Sequence, residues 1–563
     1  MLDFKKMGFS VAAIFSDHMV LQRNKFVAIF GDAVDGALVR AQLFDAQGAG
    51  VGENSTVAEN GRWLLKLEPQ SAQTGCKLVI TCGDESKTFN DIAFGEVWLA
   101  GGQSNMEFEL QNCTEGPAEL QDARAGRNVR FYYTNKIGWK DEHFYEAEKN
   151  TCWQTWDSPA RGSWSAVGYF FAKKLAEDLD CVVGVVGCNW GGTSASAWMR
   201  KEYLEEDSDL NTYLTEYEEA TRDKSVEQQC KEYDDYEIEN AKWQEKFAKL
   251  WEKKPGVTWD EAEKVLGKNP WPGPKSCKNP YRPCGLYDCM ISRILPYTLK
   301  GVLWYQGESD DHKPGSYYKL FRAMVDNWRT DWNDNLLPFV SVQLPVHRYQ
   351  ADPDFKHWCL IREAQAKASD TISNVWLTSA FDLGQFSDIH PRAKKVLAER
   401  MENLAKAKVY KLIPSVDAEA PELESYLPVY DEQNGGKIIL SFSNAPTGFE
   451  VRSDEVRLEE YKKMEERQGN TVKEDFTGFE VCGSDGVWYP AEFAIGGTDG
   501  KLNCIVAKSN SVKRPVAARY GWYNYGPVTI YGKNGLPLCP FRTNPEAGKE
   551  KTDHAKIQQI MTV

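Results

Sequence analysis

Four apolar runs, each broken off by glycine or a polar turn, constrain the fold of this 563-residue chain more than any other feature. Residues 97–100 (VWLA) read as a buried strand that ends in Gly101, Gly102, Gln103 and Ser104. Residues 182–186 (VVGVV) lead to Gly191 and Gly192, then Thr193 and Ser194. Residues 302–305 (VLWY) lead to Gln306, Gly307 and Glu308. Residues 375–380 (VWLTSA) precede a polar loop that holds His390, with Pro391 fixing the chain just beyond it. Open α/β sheets gather their sites at the carboxyl ends of strands, so the four turns are expected to converge on one edge.

The residue types at those turns suit acyl transfer. A serine on a tight turn presents its hydroxyl as nucleophile and its backbone N–H as an oxyanion donor. A glycine pair lets a backbone N–H approach an anionic atom closely. The Gln306 amide is a further donor, and His390 is the general base and acid.

Those segments resemble conserved blocks of the SGNH hydrolase superfamily. More narrowly, GQSN (102–105) and WYQGE (304–308) resemble the sialate O-acetylesterase family and its carbohydrate acetylesterase relatives. DHMVLQ (17–22), IREAQ (361–365), DIHPRAK (388–394) and RYGWYNY (519–525) extend the resemblance over nearly the whole chain outside one insertion. It implies Ser104 as nucleophile, His390 as base, and Gly191 or Gly192 with Gln306 as oxyanion donors. The usual acid of the superfamily lies three residues before the histidine, and here that position is Ser387. Asp388 is two before. Either its carboxylate or its backbone carbonyl orients His390, and Asp382 is a third candidate. The substrate implied is an O-acetylated sugar, sialic acid first and acetylxylan as the alternative, with no cofactor. A transacetylase and a non-catalytic carbohydrate-binding protein are the remaining rivals.

The net charge of -15 argues against nucleic acid and anionic membranes as partners. The 14 cysteines form no C-x-x-C pair, and their scattering suits a reducing compartment. Cys277, Cys284 and Cys289 cluster in a Pro-rich stretch and are read as structural thiols; a bridge or a metal is the alternative, for which they are the best candidates. Lys5 and Lys6 precede only a short apolar stretch with no cleavage site, so the expected location is cytoplasmic; export with a removed leader is the alternative. No run is long enough for a transmembrane helix. Oligomeric state is not legible.

The expected fold class is α/β: an SGNH-type three-layer α/β/α sandwich with a mostly parallel sheet, flanked by N-terminal and C-terminal β-rich domains. Residues 1–92 alternate as short strands, such as KFVAIFG and GRWLLKLE, between Gly, Asp and Asn turns. Residues 93–200 and 281–410 alternate strands with amphipathic helices and form the catalytic domain. Residues 201–280 interrupt it as a helical acidic insertion. Its first 50 residues carry 16 Asp/Glu against 7 Lys/Arg, and it ends at the breaker NPWPGPK. It is expected to overhang the site or to be a solvated decoration. Residues 411–545 return to β, and 546–563 are a polar tail. Within 411–545, residues 453–470 are a helix or a charged loop.

Overall fold

The structure is a computed structural model that describes residues 8–254, 257, 259–349, 352–431, 435–496 and 501–548. The stretch around Lys5 and Lys6, and the tail beyond 548 with His554, lie outside the described residues.

The centre is a parallel sheet built from β1 (Glu85–Gly102), β2 (Val129–Tyr133), β3 (Val183–Asn189), β4 (Gly301–Tyr305), β5 (Phe339–Gln343) and β6 (Val375–Ser379). Its spatial order is β2-β3-β1-β4-β5-β6, with every neighbouring pair parallel. Strands β3, β4 and β5 are buried at every residue, as both faces of a parallel sheet require. The connections carry α1 (Ser104–Glu107), α2 (Ala166–Leu179), α3 (Ser208–Thr221), α4 (Val226–Lys253), α5 (Trp259–Leu266), α6 (Tyr317–Asp331), α7 (His357–Thr371) and α8 (Lys394–Ala405). Helices α2 and α8 pack on each other, and α6 packs on α7.

Strand β1 belongs to two sheets. Its first half pairs antiparallel with Gln73–Cys82 in an N-terminal sheet and is mostly exposed; from Ile92 onward it is buried and joins the parallel sheet. Residue 92 therefore lies inside one continuous strand. Near the crossing, Glu96 accepts from Arg23 Nε at 2.6 Å, Gln22 Nε2 at 3.1 Å and Tyr410 Oη at 3.0 Å. One hydrophobic core runs unbroken from Phe9 through Trp98 to Ala418.

The C-terminal region holds two four-stranded antiparallel sheets and the helix Glu455–Arg467. Arg457 from that helix donates to the carbonyls of Asp382 and Gly384, so this region buttresses the loop that leads to His390. Among the described residues, no helix is long and apolar enough to cross a membrane.

Candidate active site

Gly102 ends β1 in register with Asn189 of β3 and with Tyr305 of β4. The three loops that follow therefore leave the sheet at one level. Gly102 adopts φ 136°, and a Cβ there would sit 2.1 Å from the Tyr305 carbonyl oxygen, so only glycine fits. Two residues on, Ser104 opens α1, and its Oγ lies 2.8 Å from His390 Nε2. Burial, then the neighbouring Lys394 charge, push the His390 imidazole down to about 4, while the negative charges of Asp388 and Glu107 oppose the shift. A neutral Nε2 is thus available to accept the Ser104 proton at neutral pH.

Asp388 Oδ1 accepts the backbone N–H of His390 at 2.9 Å. Its carboxylate meets the main chain, and among the described residues the His390 ring forms no ion pair with an acidic side chain. Asp382 is held by Arg400 through two bonds of 2.6 and 2.8 Å. The residue after the nucleophile ties the two loops together: Asn105 Nδ2 donates to Ile389 O at 2.9 Å and to Glu308 Oε1 at 2.6 Å, while Lys394 Nζ donates to Asn105 Oδ1. Burial lowers Lys394 to about 7 and raises Glu308.

On the other side of Ser104, the Gly191 N–H donates to Glu107 Oε2 at 2.6 Å, and Lys136 Nζ neutralises the other carboxylate oxygen at 2.5 Å. A Cβ on Gly191 would lie 3.1 Å from Ser104 Cβ, so this turn presses directly on the nucleophile. Gly192, at φ 75°, follows; among the described residues no backbone or side-chain acceptor pairs with its N–H or with that of Ser104. Gln306 is fully buried, and both hydrogens of its amide are committed: to Thr193 O at 3.1 Å and to Asp310 Oδ2 at 2.6 Å. Asp310 also accepts Ser194 Oγ, the Ala195 N–H and Tyr213 Oη of α3. Gln306 thus anchors the turn that carries Gly192.

Other residues singled out from the sequence take structural positions. Arg362 is buried and donates to Pro345 O and Tyr523 O; Gln365 accepts Leu344 N–H and donates to Gln306 O at 3.0 Å. Trp198 is buried with its Nε1 on Thr193 Oγ1 at 3.0 Å. Arg200 pairs with Asp331 at 3.2 Å, whereas Arg392 is exposed. Cys277 faces Cys230 of α4 at 3.6 Å rather than Cys284 or Cys289. Sequence reasoning missed Asn105, Glu107 and Lys394. Glu107 carried a usable signal, since position i+3 from Ser104 lies on the same helical face.

The chain is similar along most of its length to known carbohydrate esterases. Residues 275–407 match the family described as carbohydrate esterase, sialic acid-specific acetylesterase. The mouse sialate O-acetylesterase is 27% identical over 434 residues, covering 72% of this chain and 74% of its own. The Pongo abelii sialate O-acetylesterase is 24% identical over 571 residues, covering 95% and 92%. A crystal structure of a carbohydrate acetylesterase from Xanthomonas citri shares the fold, with a TM-score of 0.67 at 24% identity over 95% of this chain and 99% of that one. With a carbohydrate-esterase family match over residues 275–407 and similarity to sialate O-acetylesterases along most of its length, the chain is a carboxylic ester hydrolase.

Proposed function

We propose that the protein removes O-acetyl groups from a carbohydrate through an acetyl-Ser104 intermediate, with O-acetylated sialic acid as the substrate. The observation that carries this reading is the 2.8 Å contact between Ser104 Oγ and a His390 imidazole held neutral by its surroundings. Ser104 Oγ gives its proton to His390 Nε2 and attacks the acetyl carbonyl. The resulting oxyanion takes hydrogen bonds from the unpaired N–H groups of Ser104 and Gly192. The bond between the acetyl carbon and the sugar oxygen then breaks as His390 returns the proton to that oxygen. Water, deprotonated by His390, attacks the acetyl-serine, and acetate leaves with Ser104 regenerated. Gln306 fixes the Gly192 turn from below, and Asp388 fixes the backbone of His390.

A second reading, deacetylation of a neutral polysaccharide such as xylan, is favoured by the charges around the site. Lys136 is taken by Glu107 and Arg200 by Asp331, and the neighbouring insertion is strongly acidic. Such a field opposes the approach of an anionic sugar. Acetate release from O-acetylated sialic acid and from acetylated xylan, measured side by side with Ser104→Ala as control, separates the two. Release from sialic acid alone supports the first reading, and release from xylan alone the second. If neither exceeds the Ser104→Ala control, the esterase assignment to sugars fails. Labelling of Ser104 by a fluorophosphonate distinguishes an active nucleophile from a non-catalytic sugar-binding protein.

A further inference from the structure

We infer that Trp271, at the return end of the helical insertion, is the platform on which the sugar ring of the acetylated substrate stacks while its ester lies against Ser104. The inference rests on the carbohydrate esterase reading and adds the residue that recognises the ring.

The insertion reaches the reacting centre through its last segment. A Cβ on Gly192 would lie 3.0 Å from Trp271 Cζ2 and 3.2 Å from Tyr281 Cε1. A Cβ on Gly191 would lie 3.1 Å from Ser104 Cβ. The Gly191–Gly192 turn therefore packs against the nucleophile through one glycine and against the indole through the other, and only the missing side chain of Gly192 lets the indole come so close to the turn. Trp271 is nevertheless 48% exposed. A large aromatic left half open while it packs on the oxyanion turn marks a surface that a ligand covers.

The indole is also held in advance. Its Nε1 donates to Tyr281 Oη at 2.9 Å, the two rings meeting edge to face at 5.7 Å. Its backbone N–H is bonded to Asn269 Oδ1 at 3.1 Å. The buried Asn279 staples both halves: its Nδ2 donates to Pro272 O and Pro274 O, and its Oδ1 accepts the Tyr281 N–H at 2.8 Å. Gly273 lies flat on the Tyr236 ring of α4, where a Cβ would approach to 2.6 Å. With its only donor satisfied, the indole offers a ligand its apolar face alone. That face suits the axial C–H surface of a pyranose ring, and a rigid aromatic binds at little conformational cost. The ring is neutral, so the platform serves a charged or an uncharged sugar.

The test uses the full chain with two esters: an O-acetylated methyl glycoside and vinyl acetate, which has no ring to stack. Trp271→Ala is expected to lower kcat/KM on the glycoside about fivefold to tenfold, mainly through KM, and to leave vinyl acetate within twofold. Trp271→Phe, which keeps a ring, is expected to restore most of the loss. The deacetylated methyl glycoside should inhibit vinyl acetate hydrolysis more weakly in Trp271→Ala than in the wild type. Equal losses on both esters, or no loss on the glycoside, overturn the platform while leaving the esterase intact. If the wild-type protein cleaves vinyl acetate and no acetylated sugar, the carbohydrate reading itself falls, and the platform with it.

Discussion

Asn105 holds Ile389: the side-chain amide of the residue after the nucleophile donates to the carbonyl of the residue before the base, at 2.9 Å, across 284 positions of sequence. A neighbour of each catalytic residue thus ties the Ser104 and His390 loops together, beside the Asp388 carboxylate that holds the His390 N–H. Replacing Asn105 with Ala frees the His390 loop and strands Lys394 and Glu308 without their shared partner. A buried polar group left unpaired costs about 1–3 kcal/mol, and a misplaced catalytic group costs about 10²-fold in rate. Asn105→Ala is expected to lower both kcat and Tm, and kcat near wild type would remove the amide from any role in aligning the pair.

The pH profile follows from the surroundings of His390. Burial first and the Lys394 charge second lower its pKa, to about 4. The neutral form is the active base, so activity persists as pH falls from neutral and is lost only as the imidazole gains a proton near 4. An ordinary histidine would lose it near 6.5. The acid limb of kcat/KM against pH reports the free enzyme, and a limb centred near 6.5 would contradict the assigned environment.

Asp388 acts on the His390 main chain, so two substitutions should part company. Asp388→Asn keeps an oxygen for the His390 N–H and removes one charge that raises the imidazole. Its activity is expected within about tenfold of wild type, in line with the modest energy of one retained hydrogen bond, with the acid limb shifted lower. Asp388→Ala loses the anchor and should fall further. Equal, severe losses in both would instead point to the carboxylate charge as the working feature.

Gln306 is committed to Thr193 and Asp310. Removing a dedicated oxyanion donor typically costs about 10²–10³ in kcat with little change in stability. Gln306→Ala should lower kcat and Tm together, because the turn under Gly192 loses its support. A fall in kcat at unchanged Tm would show that the amide turns to the oxyanion during the reaction.

The parts of this molecule that the sequence announced share one property: their signal is local. The buried strands appear as short apolar runs, and Gly102, Ser104 and Gly192 appear as breaks in them. The helix Glu455–Arg467 reads in sequence as either a helix or a charged loop, because its polar surface gives a weak apolar stripe. The contacts that Asn105, Lys394 and Trp271 make are silent in the sequence for a different reason. Lys394 lies 289 positions from its partner Asn105, and Trp271 meets Gly192 only after the helical insertion has left and returned. Contacts closed over such distances leave no period or spacing to read. The acidic composition of the insertion pointed to solvent, and most of its surface does face solvent, yet its last residues touch the site.

Strand β1 gives the N-terminal region and the nucleophile a common fate. The same backbone that edges the N-terminal sheet at residue 85 delivers Gly102 to the active site, inside a core with no seam between them. Melting of the first 92 residues would withdraw the partners of Glu96 and strip one face of the strand that aims Ser104. Heat or denaturant should therefore abolish hydrolysis and unfold the N-terminal sheet in a single transition, and the amides of residues 96–102 should be among the last in the chain to exchange with solvent deuterium.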